Sequence, residues 1–397
     1  MPIGIGMLGY GGIGKLHALA YRSIPGIYPS LPPYVMAAVC TSSKETAEAA
    51  AREGGFERAY ADMKALVDDP NVHIIDIVLP NHQHKRAILL ALQAGKHVYC
   101  EKPLALSGAE AREIAAAAKG SRSRIGMTFN YRFTPALAKA KELIGAGALG
   151  EVYGFHSEYL HGGYQDASRP LTWRMRFESS GGGALVDLGA HVIDLIRWLL
   201  GDIAEAFAET KTYIKERPLK KGGSEMGPVN VDDAAWAQFR MASGAVGSLL
   251  VSRFATGSAD DLRIRIEGSK GALRFDLMDA NWLYFYDAAG AAAAASTAGG
   301  SAAGPAAAHP TTARPAAGAG WTRLETISSF PGAVVPPARA ILGWERLHAE
   351  NQYRFLKAVS EEQDPSPGLA DGVANHLVID ALYASARLGR WEKVASL

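Results

Sequence analysis

The first half of the fold is decided by the stretch Ile3-Gly4-Ile5-Gly6-Met7-Leu8-Gly9-Tyr10-Gly11-Gly12-Ile13-Gly14. Its apolar start predicts a buried strand, and Gly9, Gly11 and Gly14 then match G-x-G-x-x-G where a helix should open. In this pattern the glycines permit a tight turn, close approach of a pyrophosphate, and close packing of helix on strand. The N–H groups of the helix N-terminus attract the phosphates. We predict dinucleotide binding at Gly9, Tyr10, Gly11, Gly12, Ile13 and Gly14, the alternative being a glycine-rich turn without a ligand.

Short β-rich segments alternate with helical segments from residue 3 to about residue 130, which predicts a parallel sheet. Helices are expected near His82–Ala94 and Ser107–Lys119, where Ser107 and Glu110 have the spacing of a capping box. The predicted strands are Ile3–Leu8, Val35–Cys40, Ile74–Leu79, His97–Cys100 and Arg124–Thr128. We therefore expect an N-terminal Rossmann domain, an α/β fold with a doubly wound parallel sheet, over residues 1–132.

The pattern changes after about residue 135, where longer strands follow one another. Helices are expected at 135–144 and 184–200, and strands at 151–159, 206–215, 233–241, 245–254, 263–267 and 272–276. This predicts a C-terminal α+β domain with a large open, mostly antiparallel sheet over residues 133–397. Some strands carry apolar residues on both faces, so a second subunit is expected on one face. Residues 288–320 are almost entirely Ala, Gly, Ser, Thr and Pro, which predicts a flexible insertion or a short polyalanine helix.

Composition excludes several classes of partner. Lys and Arg number 41 against 40 acidic residues, a formal charge of +1 that gives no support to nucleic-acid or anionic-membrane binding. The apolar runs are too short for a membrane span, and the N-terminal stretch lacks the features of a signal peptide. Cys40 and Cys100 each fall at a predicted strand end and are expected to be small core residues rather than a disulfide or metal pair. These features predict a cytoplasmic protein.

The end of the second strand lacks the acidic residue that usually holds an adenine-ribose hydroxyl in NAD-binding domains. Its place is taken by Thr41, Ser42, Ser43 and Lys44. Hydroxyls with a lysine would suit a 2′-phosphate, so the prediction leans from NAD toward NADP. The alternative is that Ser43 caps the next helix and the ribose is held by backbone or water.

Two further segments should border the nicotinamide. Pro80, Asn81 and His84 follow the strand Ile74–Leu79, with helix capping by Asn81 and packing of His84 as alternatives. Glu101 and Lys102 follow the strand His97–Cys100, at the carboxyl end of the sheet where such folds bind ligands. Hydride removal from an alcohol carbon requires loss of the hydroxyl proton and stabilisation of the oxygen, which an ammonium can provide. A surface salt bridge between Lys102 and Glu101 is the alternative.

Asp187 and His191 form the second chemical pair. They lie four residues apart on a predicted helix, so both side chains should project from one face. An imidazole, with a reference pKa of about 6.5, can accept and return a proton near neutral pH. Asp187 could orient it, contact a substrate hydroxyl or cap the helix. A metal site with Asp194 as third ligand is another alternative.

Polar and aromatic residues between these segments are candidates for contacting substrate. Aromatic rings stack on sugars, and guanidinium groups bind hydroxyls or carboxylates. Ordinary packing between domains is the alternative, and Arg132, Arg169, Arg174 and Arg176 would equally suit an acidic substrate. The substrate-binding candidates are Lys102, Asn130, Arg132, Tyr159, His161, Trp173, Arg174, Asp187 and His191.

The sequence contains, in this order, the glycine loop, Gly95-Lys96-His97-Val98 before Glu101-Lys102-Pro103, Asn130-Tyr131-Arg132, and Asp187-Leu188-Gly189-Ala190-His191. This ordered set of segments resembles the glucose–fructose oxidoreductase/inositol dehydrogenase (Gfo/Idh/MocA) family. The resemblance covers both domains. It implies dimers or tetramers packed through the open sheet, and hydride transfer at a secondary alcohol or ketone of a sugar, polyol or related compound. It further implies that Lys102 polarises the reacting oxygen, with His191 as acid/base and Asp187 beside it.

The resulting hypothesis is an NAD(P)-dependent sugar or polyol dehydrogenase. Two alternatives use the same fold. One is a redox-assisted glycosidase, which oxidises, eliminates and re-reduces with no net change in its NAD. The other is a catalytically silent sensor of nucleotides, which need not keep Lys102, Asp187 and His191.

Overall fold

The protein is described here by a computed structural model that covers residues 2–288, 290, 320–326, 330–335 and 341–396. Of the predicted insertion 288–320, only Ala288, Gly290 and Gly320 lie within the described residues. None of the helices within those ranges has the length and apolarity needed to cross a bilayer.

The N-terminal half forms a six-stranded, wholly parallel sheet of order β3-β2-β1-β4-β5-β6. The predicted doubly wound sheet is confirmed, with one more strand, β3, and one more helix, α3, than the sequence indicated. The strands are β1 (Ile3–Leu8), β2 (Tyr34–Cys40), β3 (Arg58–Tyr60), β4 (Ile74–Ile77), β5 (His97–Cys100) and β6 (Ile125–Met127). The helices are α1 (Gly12–Ile27), α2 (Lys44–Gly54), α3 (Met63–Val67), α4 (His84–Gln93) and α5 (Gly108–Ala118), with a 3₁₀ turn at Asn81–Gln83.

The C-terminal half contains a nine-stranded sheet of order β16-β15-β14-β13-β7-β12-β11-β8-β17. Only β7 and β12 pair in parallel, so the predicted large, mostly antiparallel sheet is confirmed. Its strands are β7 (Val152–Leu160), β8 (Ile203–Lys211), β11 (Ala234–Met241), β12 (Val246–Ser252), β13 (Asp261–Gly268), β14 (Gly271–Asp276), β15 (Trp282–Asp287), β16 (Trp321–Glu325) and β17 (Glu392–Lys393), with β9 (Glu216–Pro218) and β10 (Met226–Pro228) forming a separate hairpin.

The remaining helices pack against this sheet or connect it to the first one. They are α6 (Pro135–Gly145), α7 (Phe177–Ser180), α8 (Ala190–Leu200), α9 (Trp344–Ser360) and α10 (Leu369–Leu388), with 3₁₀ turns at Asn130–Phe133, Trp173–Met175 and Leu277–Asp279. A π-helical turn, Leu185–Gly189, leads directly into α8. In α10, Leu377 packs into the core of the first sheet while Leu382 packs into that of the second. This contact brings the carboxyl ends of β1, β4 and β5 against the start of α8.

Candidate active site

The glycine loop lies between β1 and α1 and forms one end of a cleft of about 660 Å³. Gly9 has a φ of +94°, and a Cβ there would lie 2.7 Å from the Val78 carbonyl oxygen. At Gly14 a Cβ would lie 2.8 Å from the Gly9 oxygen, whereas Gly11 and Gly12 have open space where a Cβ would stand. The backbone at Gly11 and Gly12 is therefore open to a ligand, as a diphosphate cradle requires. Gly9, Gly11, Gly12, Ile13 and Gly14 line the cleft, and the Tyr10 ring packs beside Phe56 instead.

The hydroxyl-rich segment after β2 serves the start of α2. The Ser43 hydroxyl accepts a hydrogen bond from the Thr46 N–H at 3.2 Å, which confirms the capping alternative for Ser43. The Thr41 hydroxyl donates to the Ser43 carbonyl oxygen at 3.2 Å. Ser42 is exposed, and Lys44 lies 3.9 Å from Glu48 with its side chain 81% exposed. None of these four residues lines the cleft in the part of the chain that the structure describes.

Of the residues predicted after β4, two line the cleft and one does not. Pro80 and Asn81 line it, and the Asn81 amide donates to the Ser180 carbonyl oxygen at 2.8 Å rather than capping α4. His84 is fully buried, with its ring nitrogens each 2.8 Å from a carbonyl oxygen, those of Leu79 and Pro103. The prediction that His84 binds the cofactor is therefore wrong in placement, because the ring supports the Lys102 loop from behind.

Lys102 reaches across the cleft to Asp187. Its Nζ donates to the Asp187 Oδ1 at 3.0 Å and to the Asp187 carbonyl oxygen at 2.8 Å. The other carboxylate oxygen accepts from Arg253 at 2.9 Å. Burial opposes ionisation of Asp187, but the charges of Lys102, Arg253 and Arg174 outweigh it and hold the pKa well below its usual range. The alternative of a Lys102–Glu101 salt bridge is wrong, since Glu101 pairs with His17.

His191 lies beyond Asp187, in the first turn of α8. The two residues are joined through the π-helical turn, so the predicted uninterrupted α-helix is wrong at this point. Burial, with the nearby Lys102 charge, lowers the pKa of His191 to about 3, so the imidazole is neutral at neutral pH. Its ring centroid lies 4.8 Å from that of Tyr131. The Asp187 carboxylate accepts hydrogen bonds from Lys102 and Arg253. Within the described chain it makes no hydrogen bond that would orient the His191 imidazole.

The N-terminus of the π-helical turn is fixed by Asp232, from the loop before β11. Its two carboxylate oxygens accept from the N–H groups of Gly183 and Leu185, both at 2.8 Å. A carboxylate at a helix N-terminus satisfies free N–H groups and interacts favourably with the helix dipole. The position of Asp187 and His191 therefore depends on a residue about 45 positions later in the chain.

Most, but not all, of the residues predicted to bind substrate line the substrate side of the cleft. Arg132 is buried and forms a bidentate pair with Asp194, so the prediction that it binds substrate is wrong. This pair also occupies the carboxylate proposed as a third metal ligand beside Asp187 and His191. The predicted residues that line this side are Lys102, Asn130, Tyr159, His161, Trp173, Arg174, Asp187 and His191, together with Arg169.

Several cleft residues were not assigned from the sequence. Arg253 follows the end of β12, a signal of the same kind as Lys102 after β5. Tyr131 belongs to the Asn130-Tyr131-Arg132 segment noted in the sequence, and its hydroxyl lies 2.8 Å from that of the predicted residue Tyr159, which donates to Asp260 at 2.7 Å. Trp344, on α9, comes from the far end of the chain and carried no local signal.

Comparison with known proteins agrees with this architecture. The family described as "Oxidoreductase family, NAD-binding Rossmann fold" matches residues 3–129, and the GFO/IDH/MocA C-terminal domain matches residues 137–274. Levoglucosan dehydrogenase of Pseudarthrobacter phenanthrenivorans is 34% identical over 100% of this chain and 99% of its own length. Myo-inositol 2-dehydrogenase of Thermotoga maritima is 28% identical over 72% of this chain and 79% of its own.

Solved structures give the same result. A levoglucosan dehydrogenase in complex with NADH and levoglucosan superimposes with a TM-score of 0.89 at 33% identity, covering 100% of both chains. An NAD-binding oxidoreductase from Klebsiella pneumoniae gives 0.88 at 31% identity, again over 100% of both chains. The sequence-based prediction of family and of oxidoreductase function is confirmed, and the chain belongs to the Gfo/Idh/MocA family of NAD-binding oxidoreductases.

Proposed function

We propose that this enzyme transfers a hydride between NAD and a secondary alcohol or ketone of a sugar or polyol, with Lys102, Asp187 and His191 as the chemical residues. One observation carries the proposal: Lys102 Nζ, 3.0 Å from Asp187 Oδ1, and the neutral His191 share one cleft with the glycine loop. Relatives named levoglucosan and myo-inositol 2-dehydrogenase support this substrate class.

The cleft fits the cofactor. Gly11 and Gly12 leave open backbone at the start of α1, where N–H groups and the helix dipole favour a diphosphate. Pro80, Asn81, Glu101 and Lys102 would border the nicotinamide half. Bound there, NAD supplies the acceptor for the hydride that leaves the carbinol carbon.

Lys102 and His191 divide the remaining chemistry. The Lys102 ammonium lies where it can donate to the substrate hydroxyl oxygen and stabilise the negative charge that develops on it. The neutral His191 imidazole has one unprotonated ring nitrogen, which can take the hydroxyl proton as the C–H bond breaks and the C=O bond forms. In the reverse direction the imidazolium returns that proton to the oxygen. Asp187, bonded to Lys102 and Arg253, holds the ammonium in place and balances its charge.

Use of NADP is a narrower proposal. No acidic residue stands at Thr41, Ser42, Ser43 or Lys44, and the Lys44 ammonium is largely exposed. A guanidinium or ammonium beside hydroxyls can bind a 2′-phosphate. Parallel assays with NAD and NADP measure this preference directly.

The decisive assay follows nicotinamide absorbance when the protein is mixed with NAD or NADP and neutral sugars, anhydro-sugars, polyols and sugar acids. The acids are included because Arg169 and Arg174 line the cleft. Net reduction of cofactor supports the dehydrogenase, whereas cleavage of a glycoside without net reduction supports the NAD-dependent glycosidase. Cofactor binding without either reaction supports the sensor.

Lys102→Met tests the assigned chemistry. Loss of the ammonium should lower kcat by about 10³-fold, since the oxygen loses its charged donor. NADH binding, followed by protein-to-NADH fluorescence transfer, should remain. The control is Lys139→Met, because Lys139 lies on α6 in an exposed pair with Glu142 and should not affect turnover. Turnover by Lys102→Met at the rate of the control contradicts the proposed function.

We also infer that copies of the chain pair through the open face of the nine-stranded sheet, and that the enzyme is cytoplasmic. Cell fractionation with an antibody to the chain tests the cytoplasmic location.

A further inference from the structure

His17 is buried beside the first sheet, at the edge of the cleft, and its ring lies between two carboxylates. Its Nδ1 is 3.1 and 3.0 Å from the two oxygens of Asp76, and its Nε2 is 3.1 Å from Glu101 Oε1. The ring and the Asp76 carboxylate are fully buried, and the Glu101 side chain is 13% exposed. Carboxylate oxygens only accept hydrogen bonds when ionised, so both ring nitrogens must donate. With both carboxylates ionised, this geometry makes the ring an imidazolium.

The surroundings of His17 keep that charge in place. Burial acts against it, but Asp76 and Glu101 outweigh burial and raise the pKa of His17 to about 10. Burial likewise opposes ionisation of Glu101, and the His17 charge outweighs it and lowers the pKa of Glu101 to about 2. The other ionisable groups facing the ring are Tyr99, with its centroid 5.6 Å away, and His348 at 5.4 Å, while Tyr21 on the same helix interacts with Asp76. Burial lowers the pKa of His348 to about 3, so it adds no competing charge.

Glu101 connects this imidazolium to Lys102. Its Oε1 faces His17, while its Oε2 accepts a hydrogen bond from the Lys102 backbone N–H at 3.1 Å. One carboxylate therefore joins α1 to the carboxyl end of β5. With the Lys102 backbone fixed, its side chain extends to Asp187 on the other half of the molecule. A charged hydrogen bond of this kind is about twice as strong as a neutral one.

A metal ion is the other occupant that this cluster could have. Ligand atoms of His17, Glu101 and His348 all lie within 4.8 Å of one another. A metal needs an unprotonated nitrogen, however, and a ring that donates from both nitrogens to the carboxylates of Asp76 and Glu101 has none to offer. The carboxylates on both sides of the ring favour the proton over the metal.

We propose that His17, held as an imidazolium between Asp76 and Glu101, is a positioning residue that fixes the Glu101 carboxylate and through it the backbone of Lys102. The inference rests on the proposed function for the role of Lys102. The protonation of His17 can be measured without turnover, so the two can fail separately.

The first test is NMR spectroscopy of the apo protein labelled with ¹⁵N-histidine. One histidine should keep both ring N–H groups at pH 8.5, whereas an ordinary imidazole, with a pKa of about 6.5, is neutral there. Loss of this signal in His17→Gln assigns it. A neutral His17 at pH 8.5 overturns the proposal. The proposal is also overturned if the wild-type protein binds Zn²⁺ and His17→Gln does not.

The second test is the pH dependence of kcat in His17→Gln, which keeps one hydrogen-bond donor but no charge. We expect kcat near neutral pH to fall by about 10- to 100-fold, the cost of misplacing a reacting group by about an ångström. Without His17, burial raises the pKa of Glu101, because Lys102 is then the cation whose charge acts on it, and the other titratable groups around it, His84, Tyr99, Cys100, His191 and His348, are uncharged at neutral pH. The variant's rate should therefore decline as pH falls through this raised pKa and recover toward alkaline pH, a limb that the wild-type enzyme lacks.

The matched control is His73→Gln. His73 Nδ1 accepts from the Gly4 N–H at 2.9 Å, at the opposite end of the same sheet, so its loss tests general destabilisation. Its pH profile should keep the wild-type shape. A uniform, pH-independent loss of kcat in His17→Gln overturns the positioning role. If instead wild-type turnover is absent or Lys102→Met is fully active, the proposed function fails while the NMR result still decides the state of His17.

Discussion

Four histidines, His17, His191, His348 and His376, have pKa values shifted in opposite directions, and each direction follows from the surroundings of the ring. His17 faces two carboxylates and has a pKa raised to about 10. Burial lowers the pKa of His191 and His348 to about 3 and that of His376 to about 4. His376 accepts a hydrogen bond from the Ala105 N–H, which requires an unprotonated nitrogen. His17 is therefore held as a cation, whereas His191, His348 and His376 are held as neutral rings.

These shifts predict how stability depends on pH. The three neutral rings bind protons near pH 6.5 only when the chain is unfolded, so the free energy of unfolding should fall as pH drops from 6.5 toward 4. Each ring contributes a slope of up to about 1.4 kcal/mol per pH unit. His17 has the opposite sign. Its stabilisation is complete below about pH 6.5 and is lost progressively as pH rises toward 10.

Urea unfolding at a series of pH values from 5 to 9.5 measures both limbs. The alkaline limb should flatten in His17→Gln, and the acid limb should persist there. A free energy of unfolding that stays constant between pH 6.5 and 5 would contradict the neutral state of the three rings.

Which site residues could be predicted from sequence depends on where their partners are. Lys102 follows a strand end, and His191 lies in a helix that is preceded by glycines. These local patterns were enough to predict that both residues belong to one site. Arg132 and His84 were placed wrongly because their partners, Asp194 and the carbonyls of Leu79 and Pro103, are visible only after folding. A polar side chain satisfied in the interior has no sequence signature that separates it from one facing a ligand.

At the scale of elements, the start of α8 is the segment on which the site depends most. Gly183 packs directly against the loop before β11, and a Cβ there would lie 1.7 Å from the Asp232 carbonyl oxygen. The same loop supplies the carboxylate that binds the Gly183 and Leu185 N–H groups. Only a residue without a side chain permits this approach.

Gly183→Ala should therefore reduce both stability and turnover. Forcing backbone apart costs about 1–3 kcal/mol, and the displaced turn carries Asp187 and His191 away from Lys102. The control is Gly145→Ala at the end of α6, where a Cβ meets nothing within 4 Å. Denaturant unfolding and kcat for both variants provide the measurement. Equal stability and activity of the two variants would show that the loop before β11 yields without cost.

Most of the elements that the sequence did not predict are short, but β15, which has six residues, as many as β14, was also missed. β3 has three residues and α3 has five, too few for an alternating or helical pattern to emerge. The predicted capping box at Ser107 is half correct. Ser107 accepts from the Glu110 N–H, but the Glu110 carboxylate accepts from Leu106 instead of Ser107. The longer strands and helices were predicted to within a few residues, because their pattern is set by burial on one or both faces.

At the scale of the whole molecule, no helix of the described residues covers one broad face of the nine-stranded sheet. Trp236 is 44% exposed there and pairs across β11 and β12 with Leu250, which points to the same side. A groove of about 640 Å³ runs over them, bordered by the acidic Glu158 and Glu209 and the basic Arg263 and Arg265. A patch that carries both signs around an apolar centre is self-complementary under a twofold axis, which suits a second copy of the same chain.

Trp236→Glu tests this arrangement. The wild-type protein should sediment as a dimer or tetramer, and a carboxylate at the apolar centre should raise its dissociation constant by about 30-fold or more, equivalent to about 2 kcal/mol at an interface hot spot. Analytical ultracentrifugation over a concentration series measures the change. Leu19→Glu is the control, since Leu19 is 47% exposed on α1, away from the sheet, and its substitution should leave the assembly intact. A wild-type protein that stays monomeric at every concentration, or a Trp236→Glu variant that assembles as tightly as Leu19→Glu, would mean that the open sheet face is not the surface through which copies pair.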